Sequence, residues 1–477
     1  MSSLGFSNRD EVEAMVEELE RRLNRGQRNA AESILEDPIQ HDGYLLPIVD
    51  GPPGTGKTTV GVYASVRFIL ERRGQGILYV APTNFAVEQA KIAFEQLLRV
   101  PPSEVIWLNP REGVRDWREG IIGTRWDLSD LTPNDLRRLR RAPIIVCTPY
   151  MLRRIQRGLL RSSRIKVVVD EFSQVDPALF FMIVSYTGAN RDRYPRGGYA
   201  LLGDPLQLPV VTTQEELLEN IVEFVISRHS IEGGLNELTT QYRMHEEICN
   251  AVNRLREELS FWQGSARLEP YYQVRYRDLE GLGYIWREES VRDGRCLNSE
   301  DLREILDPSR TFVVINTDRL PGITDEERTQ TGSVRNITEA EAAADIAIAA
   351  YESYLREDEH LRPVIISPYN AQVREIREHL RHRMPGFPGL EECVITAYRS
   401  QGREYPLVIV SLARRNPFRR IGFLEDERLR AQIYVACSRA QAKLVVLMSE
   451  STFGEQPLYE RLVEIGGSRY AFLWGWD

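Results

Sequence analysis

Short apolar runs separated by helical stretches organise the chain from residue 45 onward. In the first half they are "LLPIVD" (45–50), "GILYVAP" (76–82), "APIIVCTP" (142–149), "IKVVVDE" (165–171) and "YALLGDP" (199–205). Each is followed by a turn and a helical pattern, the signature of parallel strands buried on both faces by helices. A second set comprises "TFVVINT" (311–317), "RPVIISP" (362–368), "ECVITA" (392–397), "PLVIVSLAR" (406–414) and "AKLVVLMS" (442–449), with helices predicted over 339–356 and 370–383. The fold class is therefore α/β, in two halves, 1–233 and 234–477, with a boundary near Gly233–Gly234. Upstream, Val12, Met15, Val16, Leu19 and Leu23 mark an amphipathic helix within 8–36, broken at Gly26 and followed by a second short one.

Two stretches interrupt the alternation. Residues 100–141 are polar, Arg-rich and carry Trp107, Trp117 and Trp126, which predicts a small insertion in the first half. A segment of about 256–335 lacks clean periodicity, and loops of that length are functional or form small subdomains.

Composition narrows the class. Hydrophobic residues make up 42% of the 477, enough for sizeable cores, and the formal charge of −9 shows no global basic excess. A local basic groove is compatible with that balance. Lys57, Lys91, Lys166 and Lys443 are the only lysines. The arginine bias suits phosphate binding, and a GC-rich genome accounts for it equally well. The five cysteines are far apart with no CxxC pair, which argues against a zinc module and against a disulfide framework and fits a reducing compartment. No apolar run approaches the ~20 residues a bilayer span needs, and no signal-peptide core is visible. The chain is expected to be a soluble intracellular monomer, cytoplasmic or associated with the nucleus or nucleoid, without membrane contact.

"GPPGTGKTT" (51–59) lies between the strand ending at Asp50 and a helix opening at Val60. Strand, glycine-rich turn and helix N-terminus together make a phosphate-binding loop. Gly51, Gly54 and Gly56 let backbone N–H groups converge on phosphate, with Pro52, Thr55 and Thr59 completing the loop. Lys57 would reach the β- and γ-phosphates of ATP, and Thr58 would offer its hydroxyl to Mg²⁺. In "VVVDEFSQ" (167–174), Asp170 is placed at a strand end to hold Mg²⁺ through water and Glu171 to polarise the attacking water.

The remaining strings resemble superfamily 1 helicases. "LNRGQRNAA" (23–31) resembles a Q-motif, "APTNFAVEQ" (81–89) motif Ia, "VCTPYML" (146–152) motif Ib and "DEFSQ" (170–174) motif II. "LLGDPLQLP" (201–209) is similar to motif III and "LTTQYRMHEEI" (238–248) to motif IV. "VIISPYNAQV" (364–373) resembles the element opening the second core domain, "VITAYRSQGREYPLVIVSLAR" (394–414) motif V and "YVACSRAQAKLVVL" (434–447) motif VI. In that order they cover nearly the whole chain, and their flavour is that of the 1B branch, the nonsense-decay-type (Upf-like) RNA/DNA helicases.

The resemblance implies two tandem RecA-like domains and an ATP-dependent motor on single-stranded DNA or RNA, moving 5′→3′. It implies that Gln27 reads the adenine edge and that Gln207 couples the γ-phosphate to the strand path. Tyr242 would lie by the nucleotide, Arg243 would contact the γ-phosphate, Gly402 and Glu404 would border the nucleotide, and Arg439 would act as arginine finger. Matching strand contacts are Thr83, Asn84, Thr148, Pro368, Tyr369 and Thr396; Thr83, Asn84 and Thr148 would equally serve as turn or capping residues. Departures are Phe172, where small residues are usual, and Tyr434, where Asn is usual. Fewer than thirty residues precede Gln27, so the upstream β-barrel of the decay helicases is expected to be absent, as is their Cys/His-rich module.

The basic positions Arg111, Arg115, Arg118, Arg125, Arg137, Arg138, Arg140 and Arg141, followed by Arg153, Arg154, Arg157 and Arg161, read either as a nucleic-acid rim with stacking tryptophans or as a solvated face over core tryptophans. His245 reads as a helix-start residue. An ATP-gated clamp or remodeller that barely unwinds shares every motif with the helicase reading.

Overall fold

The computed structural model describes residues 6–36, 39–40, 43–71, 76–109, 115–123, 132–152, 165–187, 197–209, 219–228, 235–259, 267–457 and 462. The chain divides into two compact units. One is Met1–Pro205 with Pro209–Thr239, the other Leu206–Leu208 with Thr240–Asp477. Gly233 and Gly234, where the apolar pattern places a boundary, lie outside the described residues.

The first unit is built on a nine-stranded sheet. Its order is Leu235–Glu237, Ile48–Asp50, Tyr199–Gly203, Ile165–Val169, Gly76–Val80, Ile144–Cys147, Val105–Asn109, Ile121–Gly123 and Arg115–Asp116. All pairings are parallel except the last, between Ile121–Gly123 and Arg115–Asp116. Strand Ile165–Val169 is buried at every position, as two-sided helix cover requires.

The segment 100–141 is not a separate insertion. Val105–Asn109 is buried throughout and pairs with Ile144–Cys147, so it extends the sheet. Its polar neighbours conceal the run "VIWLN", and Trp107 is a core residue. Helix Pro133–Arg141 follows, with a capping box between Thr132 and Asp135. Arg118, Arg137, Arg138, Arg140 and Arg141 are exposed, and the Arg138 guanidinium lies 5.2 Å from the Trp117 ring. The side chain of Arg115, and Arg111, Arg125, Trp126, Arg153, Arg154, Arg157 and Arg161 altogether, lie outside the description.

Helices Arg9–Arg22 and Arg25–Leu35 meet at Leu23–Asn24 and not at Gly26. Asn24 caps the second helix reciprocally with Gln27, and two satisfied backbone donors outweigh the cost of one glycine inside a first turn.

The second unit holds a five-stranded parallel sheet ordered Phe312–Asn316, Ala440–Met448, Tyr405–Ser411, Val364–Ser367 and Val394–Thr396. Helices Ile337–Ser353 and Asn370–Arg383 supply much of its cover. Part of the stretch 256–335 is ordered structure. Besides the strand Phe312–Asn316, which its apolar run predicts, it contains helix Ser299–Leu306 and the hairpin Glu327–Arg328/Val334–Arg335, which the lack of periodicity hides. Leu279, Tyr284, Leu302 and Ile305 join the core of this unit, as a subdomain built from short pieces can without long-range period.

Candidate active site

The loop between Ile48–Asp50 and helix Lys57–Leu70 brings the predicted phosphate-binding residues together. Gly56 adopts φ 85° immediately before the helix, a conformation glycine alone takes without strain. Lys57 is buried at the first helical position, and the Gly51 N–H is fixed on the Gly203 carbonyl at 2.8 Å. Thr55 folds back, its Oγ1 donating to the Pro52 carbonyl at 2.7 Å. Pro52 is buried with it, while Thr58 and Thr59 are half-buried on the first helical turn.

Gln27 is buried against this loop. Its Nε2 donates to the Thr55 carbonyl at 2.9 Å while its Oε1 accepts from the Asn24 N–H at 3.0 Å. The side chain expected at adenine thus braces both the helix cap and the phosphate loop.

Asp170 immediately follows the strand Ile165–Val169 and is buried. Its Oδ2 accepts from Thr58 Oγ1 at 3.2 Å and from the Tyr79 hydroxyl at 2.7 Å, and its Oδ1 accepts from the Glu171 N–H at 2.9 Å. A carboxylate facing the hydroxyl of the phosphate-loop threonine is the hard-oxygen donor set that suits Mg²⁺. Glu171 has φ 55°, a left-handed backbone that costs an L-residue roughly 1–2 kcal/mol. Phe172 departs from the family pattern, and the structure shows why it fits. A Cβ on Gly203 would lie 2.6 Å from the Phe172 ring, so "LLGDP" leaves room for the aromatic.

Tyr79 was not singled out by its motif, because in "GILYVAP" it reads as one more apolar strand position. Burial and then the Asp170 charge hold its phenol well above the usual tyrosine range, so it stays a donor.

In the second unit, Arg243 donates from Nε to Glu404 Oε2 at 2.7 Å and from Nη1 to the Ser438 carbonyl at 3.0 Å. Tyr242 packs on Tyr271, ring centroids 4.8 Å apart. Gly402 takes φ 77° in the turn before Glu404. Arg439 is buried, donating from Nε to the Val435 carbonyl at 2.9 Å and from Nη2 to Ser438 Oγ at 3.0 Å. Gln207 is buried as well. Tyr434, where Asn is usual, accepts through its hydroxyl from Arg256 Nη1 at 2.8 Å, joining helix Glu246–Glu258 to helix Glu427–Cys437. His245 caps helix Glu246–Glu258, its Nδ1 accepting from the Glu247 N–H at 3.1 Å.

Among the residues expected on the strand, Thr83 and Asn84 are exposed, with Thr83 Oγ1 also capping helix Asn84–Leu98. Thr148 is buried. Pro368 is half-buried in the turn after strand Val364–Ser367. Tyr369 is turned inward, its ring 4.9 Å from Phe423 and its hydroxyl on the Ile421 carbonyl, while its N–H donates to Ser367 Oγ at 3.3 Å. Thr396 lines a cavity of about 440 Å³ with Thr331, Ser333, Asn370, Arg374, Arg377 and Arg399, and no carboxylate is among its lining residues. Arg377 is engaged by the Glu391 and Val394 carbonyls. Arg374 and Arg399 are exposed, and their side chains make no hydrogen bond or ion pair among the described residues. Sequence reading missed both, since single arginines among so many carry no signal.

Two family models match, each described as an AAA domain, over residues 22–98 and 217–451. The DNA replication ATP-dependent helicase/nuclease DNA2 of Saccharomyces cerevisiae is 26% identical over 93% of this chain and 27% of its own length. The DNA replication ATP-dependent helicase/nuclease JHS1 of Arabidopsis thaliana is 28% identical over 92% of this chain and 29% of its own length. A regulator of nonsense transcripts 1 homolog from the same plant is 24% identical over 92% of this chain and 34% of its own length. The chain thus spans about a third or less of these relatives.

Proposed function

This chain belongs to the superfamily 1 helicases, on their nonsense-decay-type (Upf-like) branch, and we propose that it is an ATP-driven motor that moves along single-stranded DNA or RNA and unwinds duplex, 5′→3′. The observation that carries this reading is the meeting of Thr58 and Asp170, 3.2 Å apart, at the N-terminus of the helix that begins with Lys57.

In this reading the backbone of Gly51–Gly56 and Lys57 bind the triphosphate. Thr58 and Asp170 would hold Mg²⁺, which when bound neutralises charge on the β- and γ-phosphates. Glu171 polarises the water that attacks the γ-phosphorus, and ADP leaves. Arg243 and Arg439 place cationic charge where negative charge spreads in the transition state, worth ~10³ or more for an arginine finger. Gln27 and Tyr242 act on the base, Gly402 and Glu404 border the nucleotide, and Gln207 couples hydrolysis to the track. Thr83, Asn84, Thr148, Thr396 and the Pro368–Tyr369 turn contact strand phosphate and sugar, which positions a strand without reading its sequence. Arg374 and Arg399 add charge beside Thr396.

The test is ATPase rate with and without single-stranded DNA and RNA polymers, alongside unwinding of 5′- and 3′-tailed duplexes. Several-fold stimulation with unwinding of 5′-tailed substrates is expected. Stimulation without unwinding would make the protein an ATP-gated clamp or remodeller, and a rate indifferent to every polymer would overturn the motor.

A further inference from the structure

Tyr79 carries a hydroxyl where burial alone would favour phenylalanine. It lies on strand Gly76–Val80, fully buried, edge-on to Phe94 with ring centroids 5.7 Å apart. Its hydroxyl donates to Asp170 Oδ2 at 2.7 Å, the same oxygen that faces Thr58 Oγ1 at 3.2 Å. The other oxygen of Asp170 is held by the Glu171 N–H. A neighbouring helix makes room for this contact. Gly61 sits inside helix Lys57–Leu70, where glycine costs about 1 kcal/mol relative to alanine. A Cβ there would lie 3.0 Å from the Tyr79 hydroxyl oxygen and 2.9 Å from Leu202. The glycine thus leaves room beside the phosphate loop for both Leu202 and the Tyr79 phenol.

We propose that Tyr79 is a positioning residue for the metal chemistry of this site, its hydroxyl fixing the orientation in which Asp170 meets a divalent cation and its water. The proposal rests on the assignment of Asp170 as the metal-holding carboxylate. The terminal torsion of an aspartate is broad, so a carboxylate held at one oxygen by backbone alone samples a range of angles. A second donor on Oδ2 narrows that range beside Thr58.

Tyr79→Phe removes the hydroxyl and keeps the ring on Phe94. Binding of ADP and of a non-hydrolysable ATP analogue is measured by calorimetry across a Mg²⁺ titration and in EDTA, with thermal melting as the folding control. The Mg²⁺ concentration for half-maximal strengthening of binding should rise roughly tenfold, the low end for losing a partner that orients a metal-binding group. Affinity in EDTA should stay within about twofold, as no phosphate contact is lost. Gly61→Ala, which retains the phenol but crowds it, should shift the Mg²⁺ curve in the same direction. A Mg²⁺ curve that overlays the wild type in both variants overturns the proposal. So does binding weakened equally with and without Mg²⁺, which would mark Tyr79 as a packing residue. Asp170→Asn run in parallel should abolish the Mg²⁺ dependence; if it does not, the assignment of Asp170 itself falls, and the proposal with it.

Discussion

Arg243 and Glu404, 161 residues apart in the chain, form an ion pair of 2.7 Å within the second unit. Both belong to motifs expected at the nucleotide. The Arg243 side chain is largely covered while Glu404 is about half exposed, so the carboxylate is the more readily displaced partner. A phosphate that engages Arg243 must compete with it. Glu404→Gln should therefore lower the ATP concentration for half-maximal rate a few-fold at low salt, an effect that fades as salt screens the charges. Arg243→Ala should cut turnover at saturating ATP by about 10²-fold or more. Steady-state ATPase titrations at two salt concentrations decide both; a raised half-saturation in Glu404→Gln would mean the carboxylate orients Arg243 and does not mask it.

Arg439 is tied to the Val435 carbonyl and Ser438 Oγ, so its guanidinium must leave or share these partners to reach a phosphate. Arg439→Ala should lower turnover by ~10³ with ATP affinity within a few-fold. It should also lower the melting temperature, because buried carbonyls lose a charged donor at about 1–3 kcal/mol. Arg439→Lys separates the two effects: most of the stability returns and most of the turnover does not, since lysine lacks the planar fork. Equal recovery of both would remove the finger role.

The cavity beside Thr396 predicts a salt signature. Arg374→Ala with Arg399→Ala should weaken binding to single-stranded polymers. The slope of log K against log salt should flatten by about 0.7 for each phosphate no longer neutralised. Both side chains are exposed, so stability should barely change. Fluorescence anisotropy at several salt concentrations measures it; an unchanged slope would exclude this cavity from the track.

Glu339 predicts a pH dependence of the second unit. It is fully buried, accepting from Ser411 Oγ at 2.7 Å and the Ala413 N–H at 2.8 Å, and burial pushes its carboxyl from 4.5 up to about 7. The folded state thus holds the proton more tightly than the unfolded one. Stability from this group is full below pH 4.5 and is lost as pH rises towards 7. Glu339→Gln keeps the acceptor for both donors and cannot ionise. Relative to it, the wild type should lose on the order of 3 kcal/mol between pH 4.5 and 7. Melting curves at pH 5 and pH 8 should show the variant gaining on the wild type; parallel behaviour would place the ionised carboxylate in a better-solvated setting.

The sequence alone determined what depends on neighbours along the chain. Nine contiguous residues, 51–59, specify the phosphate loop, because a strand end, glycines with free φ and a helix N-terminus are all local requirements. Apolar runs specified the parallel strands for the same reason: burial on both faces suppresses alternation. Only the tertiary structure decided which side chains meet. Tyr79 reaches Asp170 across 91 residues, Arg256 reaches Tyr434 across 178, and Gly203 makes space for Phe172 in the turn that follows the neighbouring strand. Trp107, hidden among arginines, proved a core strand residue, and Tyr369, placed on the strand path by its motif, proved to face inward. Local pattern reports whether a position is buried and in what backbone. It cannot report the partner, because that is set where distant segments close on one another and a buried hydroxyl or guanidinium must find whatever acceptor the packing puts within about 3 Å.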